Sequence, residues 1–441
     1  MSPSDAIEPF RIAVPDQAIE TLKAKLALAT FPRETTFSND SNYGARLDDI
    51  KRLATAWRDT FDWREAEAKL NDTLPQFTTR IGVDGHEDDL KIHFVHAKSE
   101  REDAIPLLFC HGWPGSFLEV SKILPLLTAG GGEDEPAFHV VAPSIPNFGF
   151  SQGTSKPGFG IRQHAEVKSI DLPRQPIRGY YERDRFTAME PPHLAPTNYL
   201  PYSQHKLMLR LGYNKYVTQG GDWGYVITRR MGELYPTHVQ ASHLNYIHAY
   251  PPTLLSSPLL YLQHRLGLYS ASEKAGLERT RWFVENGSGY NQIQGTKPHT
   301  PGFALVDSPV ALLAWIYEKL VDWADAYPWT DEEVLTWIGI YAFSEAGPDA
   351  SLRLYYETVH NRKDALLASG WIGKVPLGLS YFPRDLTVVP SSWGKTLGPV
   401  VFEKRHEDGG HFAAFERPEK LAADLRTMFG KKSGIGAKLS F

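Results

Sequence analysis

The sequence predicts an α/β fold, in which a mostly parallel sheet of about eight strands carries helices on both faces. Short apolar runs such as residues 105–110 and 138–142 alternate with helical segments, which is typical of parallel strands that are buried on both faces. Similar runs return after a long helical block at residues 250–365. Apolar residues at helical spacing also fill residues 15–70, ahead of every predicted strand. Together these observations favour one α/β core with an N-terminal helical extension and an inserted helical block.

Changes in the hydrophobic period predict the individual elements. Residues 77–81 and 90–95 alternate between apolar and polar side chains, as half-buried strands do, and Asp84-Gly85 between them is a turn signal. The remaining predicted strands are residues 105–110, 138–142, 216–218, 241–247, 375–381 and 400–403. Helices are predicted over residues 117–127, through Tyr225 and Leu234, and near residues 419–428.

The predicted elements divide the chain into four parts. Residues 1–100 form the helical extension and lead into the first strands, 101–249 the first part of the core, 250–365 the helical block, and 366–441 the second part of the core. Within the first part of the core, residues 167–203 are rich in proline and charge and have no clear period. Structureless loops of this length are uncommon inside compact domains, so we interpret this stretch as functional, disordered or peculiar to this sequence.

The composition excludes several classes of protein. Hydrophobic residues make up 42% and charged residues 22%, which is the ordinary globular mixture. The net charge of −5 gives no global basic field for nucleic acid or an anionic membrane. The single cysteine, Cys110, excludes an internal disulfide and a thiolate-rich metal site and fits a reducing compartment. No leader segment and no apolar run near 20 residues is found, so the sequence predicts a soluble, cytoplasmic protein without a transmembrane segment.

The sharpest chemical signal is Asp222 within Gly220-Gly221-Asp222-Trp223-Gly224. The motif follows a predicted strand and precedes a predicted helix, which is the arrangement of a nucleophile elbow. Glycines are needed in such a sharp turn, because a neighbouring Cβ would clash. An ionised carboxylate is itself nucleophilic, so Asp222 can attack a tetrahedral carbon without an activating base. An ordinary helix-capping Asp is the alternative, and the flanking glycines favour the nucleophile.

A second chemical signal is the loop that follows the predicted strand at residues 105–110. His111-Gly112-Trp113-Pro114 comes after residues 105–110, where hydrolases with such an elbow place one oxyanion-hole amide, the other being that of the residue after the nucleophile. The predicted donors are therefore the amides of Trp113 and Trp223, although an ordinary strand-exit turn is the alternative.

His411 lies on a glycine-rich loop after the last predicted strand and suits a general base. The chain order nucleophile, acid, base then requires a carboxylate after the penultimate strand, and Asp385 supplies it. Asp408 and Glu407 are alternatives by proximity, but they lie too close to His411 in sequence to follow that order.

These motifs resemble those of the microsomal-type epoxide hydrolases, which have the α/β-hydrolase fold with a helical lid. The resemblance covers nearly the whole chain, including the tryptophan-rich residues 57–63 of the N-terminal extension. Its most specific parts are HGWP at 111–114, PSIPNFGFS at 143–151, GGDWG at 220–224 and GGHFAAFE at 409–416. The resemblance implies hydrolysis of a small apolar epoxide by water to a vicinal diol, through an ester on Asp222, with no cofactor, metal or nucleic acid.

The same resemblance implies two lid tyrosines that hold and protonate the epoxide oxygen. Gly289-Tyr290 ahead of Thr296-Lys297-Pro298 corresponds to the first. Arg353-Leu354-Tyr355-Tyr356-Glu357 contains the second, at Tyr355 or, with a shift of one residue, at Tyr356. His111 and Pro114 belong to the implied oxyanion and substrate-binding loop.

The chain departs from the family pattern in two places. The N-terminal membrane anchor of microsomal members is not found, and residues 167–203 have no counterpart, so they are interpreted as an inserted loop or a gene-model artefact.

Two other functions stay open at this point. A haloalkane dehalogenase shares the Asp nucleophile and would bind halide through the Trp223 indole N–H. A non-catalytic ligand-binding protein is the second, although a binder has no need of the complete set Asp222, Asp385 and His411. A homodimer is compatible with the sequence, which does not specify the oligomeric state.

Overall fold

The computed structural model describes residues 6–83, 89–132, 134–161, 163 and 203–441. In this part of the chain, nine strands form one sheet. In chain order they are β1 Glu8–Pro9, β2 Gln76–Ile81, β3 Leu90–Ala97, β4 Ile105–Cys110, β5 Phe138–Pro143, β6 Tyr216–Gly220, β7 Val239–Leu244, β8 Leu377–Tyr381 and β9 Val400–Arg405.

The strand order across the sheet is β1-β2-β3-β5-β4-β6-β7-β8-β9. The pairs from β1 through β3 to β5 are antiparallel, and the pairs from β5 onward are parallel. Cys110 at the end of β4 lies opposite Gly220 at the end of β6. Because these strands run in the same direction, the two loops that follow them leave the sheet side by side.

The predicted α/β fold class with a mostly parallel sheet is confirmed by this topology. All eight predicted strands are present, although the strand predicted at 241–247 begins at Val239 and ends at Leu244. The additional strand β1 pairs with β2 through only two residues, Glu8 and Pro9. A run this short shows no alternation, and its proline is tolerated because β1 is an edge strand.

Helices cover both faces of the sheet and form the block between β7 and β8. In chain order they are α1 Asp16–Ala27, α2 Leu47–Asp59, α3 Trp63–Thr73, α4 Leu124–Ala129, α5 Ser203–Arg210, α6 Trp223–Leu234, α7 Pro258–Arg265, α8 Ala271–Trp282, α9 Gly289–Thr296, α10 His299–Asp307, α11 Pro309–Asp322, α12 Asp331–Ala342, α13 Arg353–His360, α14 Arg362–Ala368, α15 Ser391–Gly394, α16 Ala413–Glu416 and α17 Pro418–Phe429.

The single helix predicted over residues 117–127 is wrong. A 3-10 turn at Phe117–Val120 is followed by the separate helix α4, which has Pro125 in its first turn. A continuous helix would place this proline in its interior, where it lacks the N–H donor and clashes with the preceding turn. The proline is tolerated where the structure has it, at the start of a new helix.

The N-terminal extension packs against the inserted helical block. Helix α2 contacts α11 and α12, and α3 contacts α12. Trp63 of α3 lies so close to Gly339 of α12 that a Cβ at position 339 would be 2.4 Å from its ring. The extension therefore supports the helices that cover the sheet, which explains why α2 and α3 each have a buried face toward the C-terminal half of the chain.

Two sequence-based predictions fall on residues that the structure does not describe. The turn at Asp84-Gly85 lies outside the described residues, and so does the stretch 167–203 except for Ser203, which begins α5. The proposed boundaries at 100, 249 and 365 stay predictions.

Candidate active site

Asp222 lies at a sharp turn between β6 and α6. Its φ of 48° falls in the left-handed region, which non-glycine residues rarely adopt. The turn requires small neighbours, because a Cβ at Gly220 would lie 2.4 Å from the carbonyl oxygen of Gly224. A Cβ at Gly224 would lie 2.0 Å from the carbonyl oxygen of Cys110. The local sequence thus forms the strand-to-helix elbow that the motif predicts, with Asp222 at its apex.

Two backbone amides hold the Asp222 carboxylate. The N–H of Trp113 donates to Oδ1 over 2.8 Å, and the N–H of Trp223 is the second donor. Burial raises the pKa of Asp222, whereas His411 and these two amides act in the opposite direction. The amides favour the ionised form, which is the form that a nucleophile needs.

His411 lies between the two aspartates. Its Nδ1 donates to Oδ1 of Asp385 over 2.6 Å, and its Nε2 is 3.6 Å from Oδ2 of Asp222. Asp385 therefore selects the tautomer and leaves Nε2 facing Asp222. Burial lowers the pKa of His411, but Asp385, Asp222 and Glu119 outweigh this effect and raise it to about 9.

The alternative partners of His411 point elsewhere. Asp408 forms an ion pair with Arg417, with 2.7 Å between Oδ2 and Nε, and a second ion pair with Lys420. Glu407 is exposed. The loop geometry explains the pairing with Asp385, because an isolated parallel bridge between Arg384 and Gly410 brings the loops after β8 and β9 together.

Tyr290 and Tyr355 both lie over the Asp222 region, on the adjacent helices α9 and α13. They are 6% and 2% exposed, and their ring centroids are 5.8 Å apart. Tyr290 stacks on Trp113 at 5.0 Å, and Tyr355 meets Trp223 edge to face at 4.8 Å. Tyr356, the sequence alternative, is 37% exposed. The structure thus brings Tyr355, and not Tyr356, to the site.

The hydroxyl of Tyr355 is suited to donate a proton to a ligand. It lies near the Tyr290 hydroxyl and the Trp223 indole N–H but makes no hydrogen bond of ordinary geometry within the described residues. Burial, together with Tyr290 and the charge of Asp222, raises the pKa of Tyr355 well above its ordinary value. The phenol therefore stays neutral and keeps its proton near pH 7.

His111 and Pro114 shape the loop that carries Trp113. His111 donates from Nδ1 to the Gly112 carbonyl over 2.9 Å and accepts the Ile145 N–H at Nε2 over 3.2 Å. Burial lowers the pKa of His111 to about 4, so the ring is neutral, as this donor and acceptor pattern requires. The Pro114 carbonyl accepts the indole N–H of Trp337 over 2.6 Å. Both residues contact the loop backbone and not the side chains of Asp222, Asp385 or His411.

Sequence reasoning missed two glutamates near the site, the half-buried Glu119 and the buried Glu416. Glu119 accepts the N–H of Gly112. Burial and the charge of Asp222 raise the pKa of Glu119 to about 8 against the opposing effects of His411 and this amide. The sequence feature that could have pointed to Glu119 is its carboxyl group within the otherwise apolar run from Phe117 to Val120. Glu416 ends the motif GGHFAAFE and accepts backbone N–H groups on both sides of His411.

The fold and this geometry define an α/β hydrolase with a carboxylate at the nucleophile elbow. Residues 7–120 match the family model "Epoxide hydrolase N terminus", and residues 105–267 match "alpha/beta hydrolase fold". The chain is 35% identical to a putative epoxide hydrolase of Stigmatella aurantiaca, with 96% of this chain and 84% of the relative covered. It is 34% identical to epoxide hydrolase 1 of Sus scrofa, with 97% and 89% covered.

The solved structure of Aspergillus niger epoxide hydrolase superposes with a TM-score of 0.75 at 34% identity, covering 96% of each chain. The chain therefore belongs to the epoxide hydrolase family, as the motifs indicate. Neither the haloalkane dehalogenase nor the non-catalytic binder is favoured by these matches. No helix in the described ranges is long and apolar enough to cross a membrane.

Proposed function

We propose that this epoxide hydrolase converts a small apolar epoxide to a vicinal diol in two half-reactions joined by an ester on Asp222. The observation that carries the proposal is the position of the Asp222 carboxylate, between the Trp113 and Trp223 amides and 3.6 Å from Nε2 of His411. The aromatic surroundings of Asp222, formed by Trp113, Tyr290 and Tyr355, favour an apolar substrate.

In the first half-reaction, Asp222 attacks a ring carbon of the epoxide. Oδ1 already accepts the Trp113 N–H, so Oδ2 is the attacking atom. As the Oδ2–C bond forms and the C–O bond of the ring breaks, the leaving oxygen takes a proton from Tyr290 or Tyr355. A tyrosine can supply this proton because its phenol is neutral near pH 7.

In the second half-reaction, water attacks Cγ of the Asp222 ester. Nε2 of His411 takes a proton from this water, while Asp385 holds the ring and stabilises the imidazolium. The charge that develops on Oδ1 is stabilised by the Trp113 and Trp223 amides, each worth about 2.7–4 kcal/mol at comparable sites.

The tetrahedral intermediate then collapses. The bond from Cγ to the alkyl oxygen breaks, and the imidazolium returns its proton to that oxygen. This releases the diol and leaves Asp222 as a carboxylic acid that carries one oxygen from water. Asp222 then gives its proton to solvent, and the tyrosine that protonated the epoxide oxygen takes a proton back from solvent, so the overall reaction consumes one water and no net proton. No metal or cofactor takes part in these steps.

A single-turnover reaction in H₂¹⁸O tests the covalent route. With enzyme in excess over styrene oxide, we expect unlabelled diol and ¹⁸O in the peptide that contains Asp222. Label in the diol of the first turnover would instead show direct attack of water on the epoxide. Asp222→Ala should form no diol, and release of halide from a haloalkane without epoxide turnover would favour the dehalogenase.

We also propose a cytoplasmic location, while a homodimer stays compatible with the sequence. The location is supported by the single cysteine, which suits a reducing compartment. Light scattering coupled to gel filtration tests the oligomeric state, and a mass of one chain at micromolar concentration would refute the dimer. Fractionation of the source cells tests the location.

A further inference from the structure

Glu416 is a buried carboxylate that binds backbone amides around His411. It is 5% exposed. Its Oε2 accepts the N–H groups of Gly410 over 3.1 Å and Asp325 over 2.8 Å, and its Oε1 accepts the N–H of Phe412 over 3.0 Å. Two of these donors belong to the residues directly before and after His411. The carboxylate therefore holds the peptide on both sides of the proposed base.

The other amides of the same loop are bound to one short segment at the end of α11. The His411 N–H donates to the Trp323 carbonyl over 2.8 Å. The Gly409 N–H donates to Oδ2 of Asp325 over 2.8 Å. Four consecutive amides, from Gly409 to Phe412, thus all have partners outside the loop, although the loop is neither helix nor strand. Glu416 contacts both the loop and Asp325, so it joins the loop to the helical block.

We propose that Glu416 is a positioning residue for the hydrolytic half-reaction, which fixes His411 by holding the amides of Gly410 and Phe412. The inference rests on the proposed role of His411 as the base. Glu416 has no direct contact with Asp222 or with the two tyrosines among the contacts described above, so its effect reaches the chemistry through the His411 backbone.

The two half-reactions separate this role from a general loss of structure. Attack on the epoxide uses Asp222 and the tyrosines, whereas ester hydrolysis needs Nε2 of His411 in place. A misplacement of about 1 Å in a catalytic group can cost roughly 10²-fold in rate. A loosened His411 loop therefore slows hydrolysis and leaves ester formation largely unchanged.

Glu416→Gln tests the proposal. The amide keeps one acceptor oxygen and turns the other position into an NH₂ donor that faces an N–H group, so at least one of the three hydrogen bonds is lost. We expect ester hydrolysis to slow about 10–100-fold while the single-turnover rate of ester formation is retained. The covalent adduct on Asp222 should accumulate in intact-mass spectra, and kcat and KM should fall together.

Glu67→Gln is the matched control. Glu67 is 7% exposed and accepts the Val14 N–H over 2.7 Å, but it belongs to α3 of the N-terminal extension. This variant also loses a buried carboxylate bound to the backbone, and we expect wild-type rates for both half-reactions. Glu416→Asp provides a second test if Glu416→Gln does not fold, since it keeps the carboxylate but shortens the side chain, which then cannot hold the amides of Gly410, Phe412 and Asp325 in the same way.

The results distinguish this proposal from the proposed function. Slow hydrolysis with an accumulating adduct in Glu416→Gln or Glu416→Asp supports the positioning role. A folded variant of Glu416 with wild-type hydrolysis, or one in which both half-reactions slow equally, overturns that role. If the wild-type enzyme itself forms no ester on Asp222, the proposed covalent mechanism fails and the positioning role fails with it.

Discussion

Nε2 of His411 lies 3.6 Å from Oδ2 of Asp222, close enough for their charges to interact and too far for a hydrogen bond of ordinary length. The Asp222 charge raises the pKa of His411. In the proposed mechanism, ester formation removes this charge and thereby lowers that pKa, which shifts the imidazole toward the neutral form that acts as a base. The same contact would couple the two proposed half-reactions electrostatically.

The first prediction is that Asp222→Asn lowers the pKa of His411 from about 9 toward its ordinary value. Removing a negative neighbour destabilises the charged imidazolium, so the ring loses its proton at lower pH. A titration of the ring protons by NMR, with His411→Gln to assign the signal, measures the change. Equal midpoints in wild type and variant would show that the two charges are not coupled.

The same coupling predicts the pH dependence of the wild-type reaction. The rate of ester hydrolysis should fall as the pH drops below the pKa that His411 has once the ester is formed, because the base is then protonated.

The second prediction is that His411→Gln stops the reaction at the ester. Asp222 and the tyrosines remain, so the ester forms, but water lacks its base and hydrolysis slows about 10²–10⁴-fold. Intact-mass spectra should show a stable adduct of one substrate mass, and peptide mapping should place it on Asp222. Fast turnover without an adduct would assign the base to another residue.

Asp385→Asn should also slow ester hydrolysis, but less than His411→Gln does, because the 2.6 Å contact from Asp385 to His411 orients the ring.

The third prediction concerns the two tyrosines. Tyr290→Phe and Tyr355→Phe each remove one hydroxyl above Asp222 and leave the ring stacking in place, so each should slow ester formation. The double variant should lose about 10²–10⁴-fold, the usual contribution of a general acid. Tyr356→Phe is the matched control, since this ring is 37% exposed and stacks on His360 with centroids 3.9 Å apart. Stopped-flow measurement gives the rate of ester formation for each of the three single variants. If Tyr356→Phe slows ester formation as much as Tyr355→Phe does, the assignment of the second proton donor to Tyr355 and not to Tyr356 is contradicted.

The sequence predicted the loops of the site because each is a contiguous motif directly after a strand. Asp222 and its glycines lie within five residues, and HGWP follows β4 in the same way. Asp385 is 26 residues from His411, and only the chain order of the triad singled it out from nearer carboxylates. Its geometry agrees with that choice, while its catalytic role stays a prediction.

The remaining features depend on contacts between distant segments. Glu416 meets the Asp325 amide 91 residues away, and Trp337 meets the Pro114 carbonyl 223 residues away. The local hydrophobic periodicity of a sequence does not predict contacts between residues this far apart. The two-residue strand β1 is defined by its partner β2 and not by its own pattern. Sequence patterns therefore predicted where the chemistry lies, whereas the contacts that fix its geometry required the structure.

The last prediction tests the packing beneath the elbow. In Gly224→Ala the new Cβ would lie 2.0 Å from the Cys110 carbonyl oxygen, so β4 and α6 must move apart. Such overpacking typically costs about 1–3 kcal/mol, and the displaced helix start would also shift the Trp223 amide. We expect a lower midpoint of urea unfolding together with slower ester hydrolysis. Gly434→Ala is the control, because a Cβ there meets nothing within 4 Å and should change neither property. A Gly224→Ala enzyme with wild-type stability and activity would mean that the strand-to-helix turn has room for a larger residue. The close approach of α6 to β4 would then not be a requirement of the site.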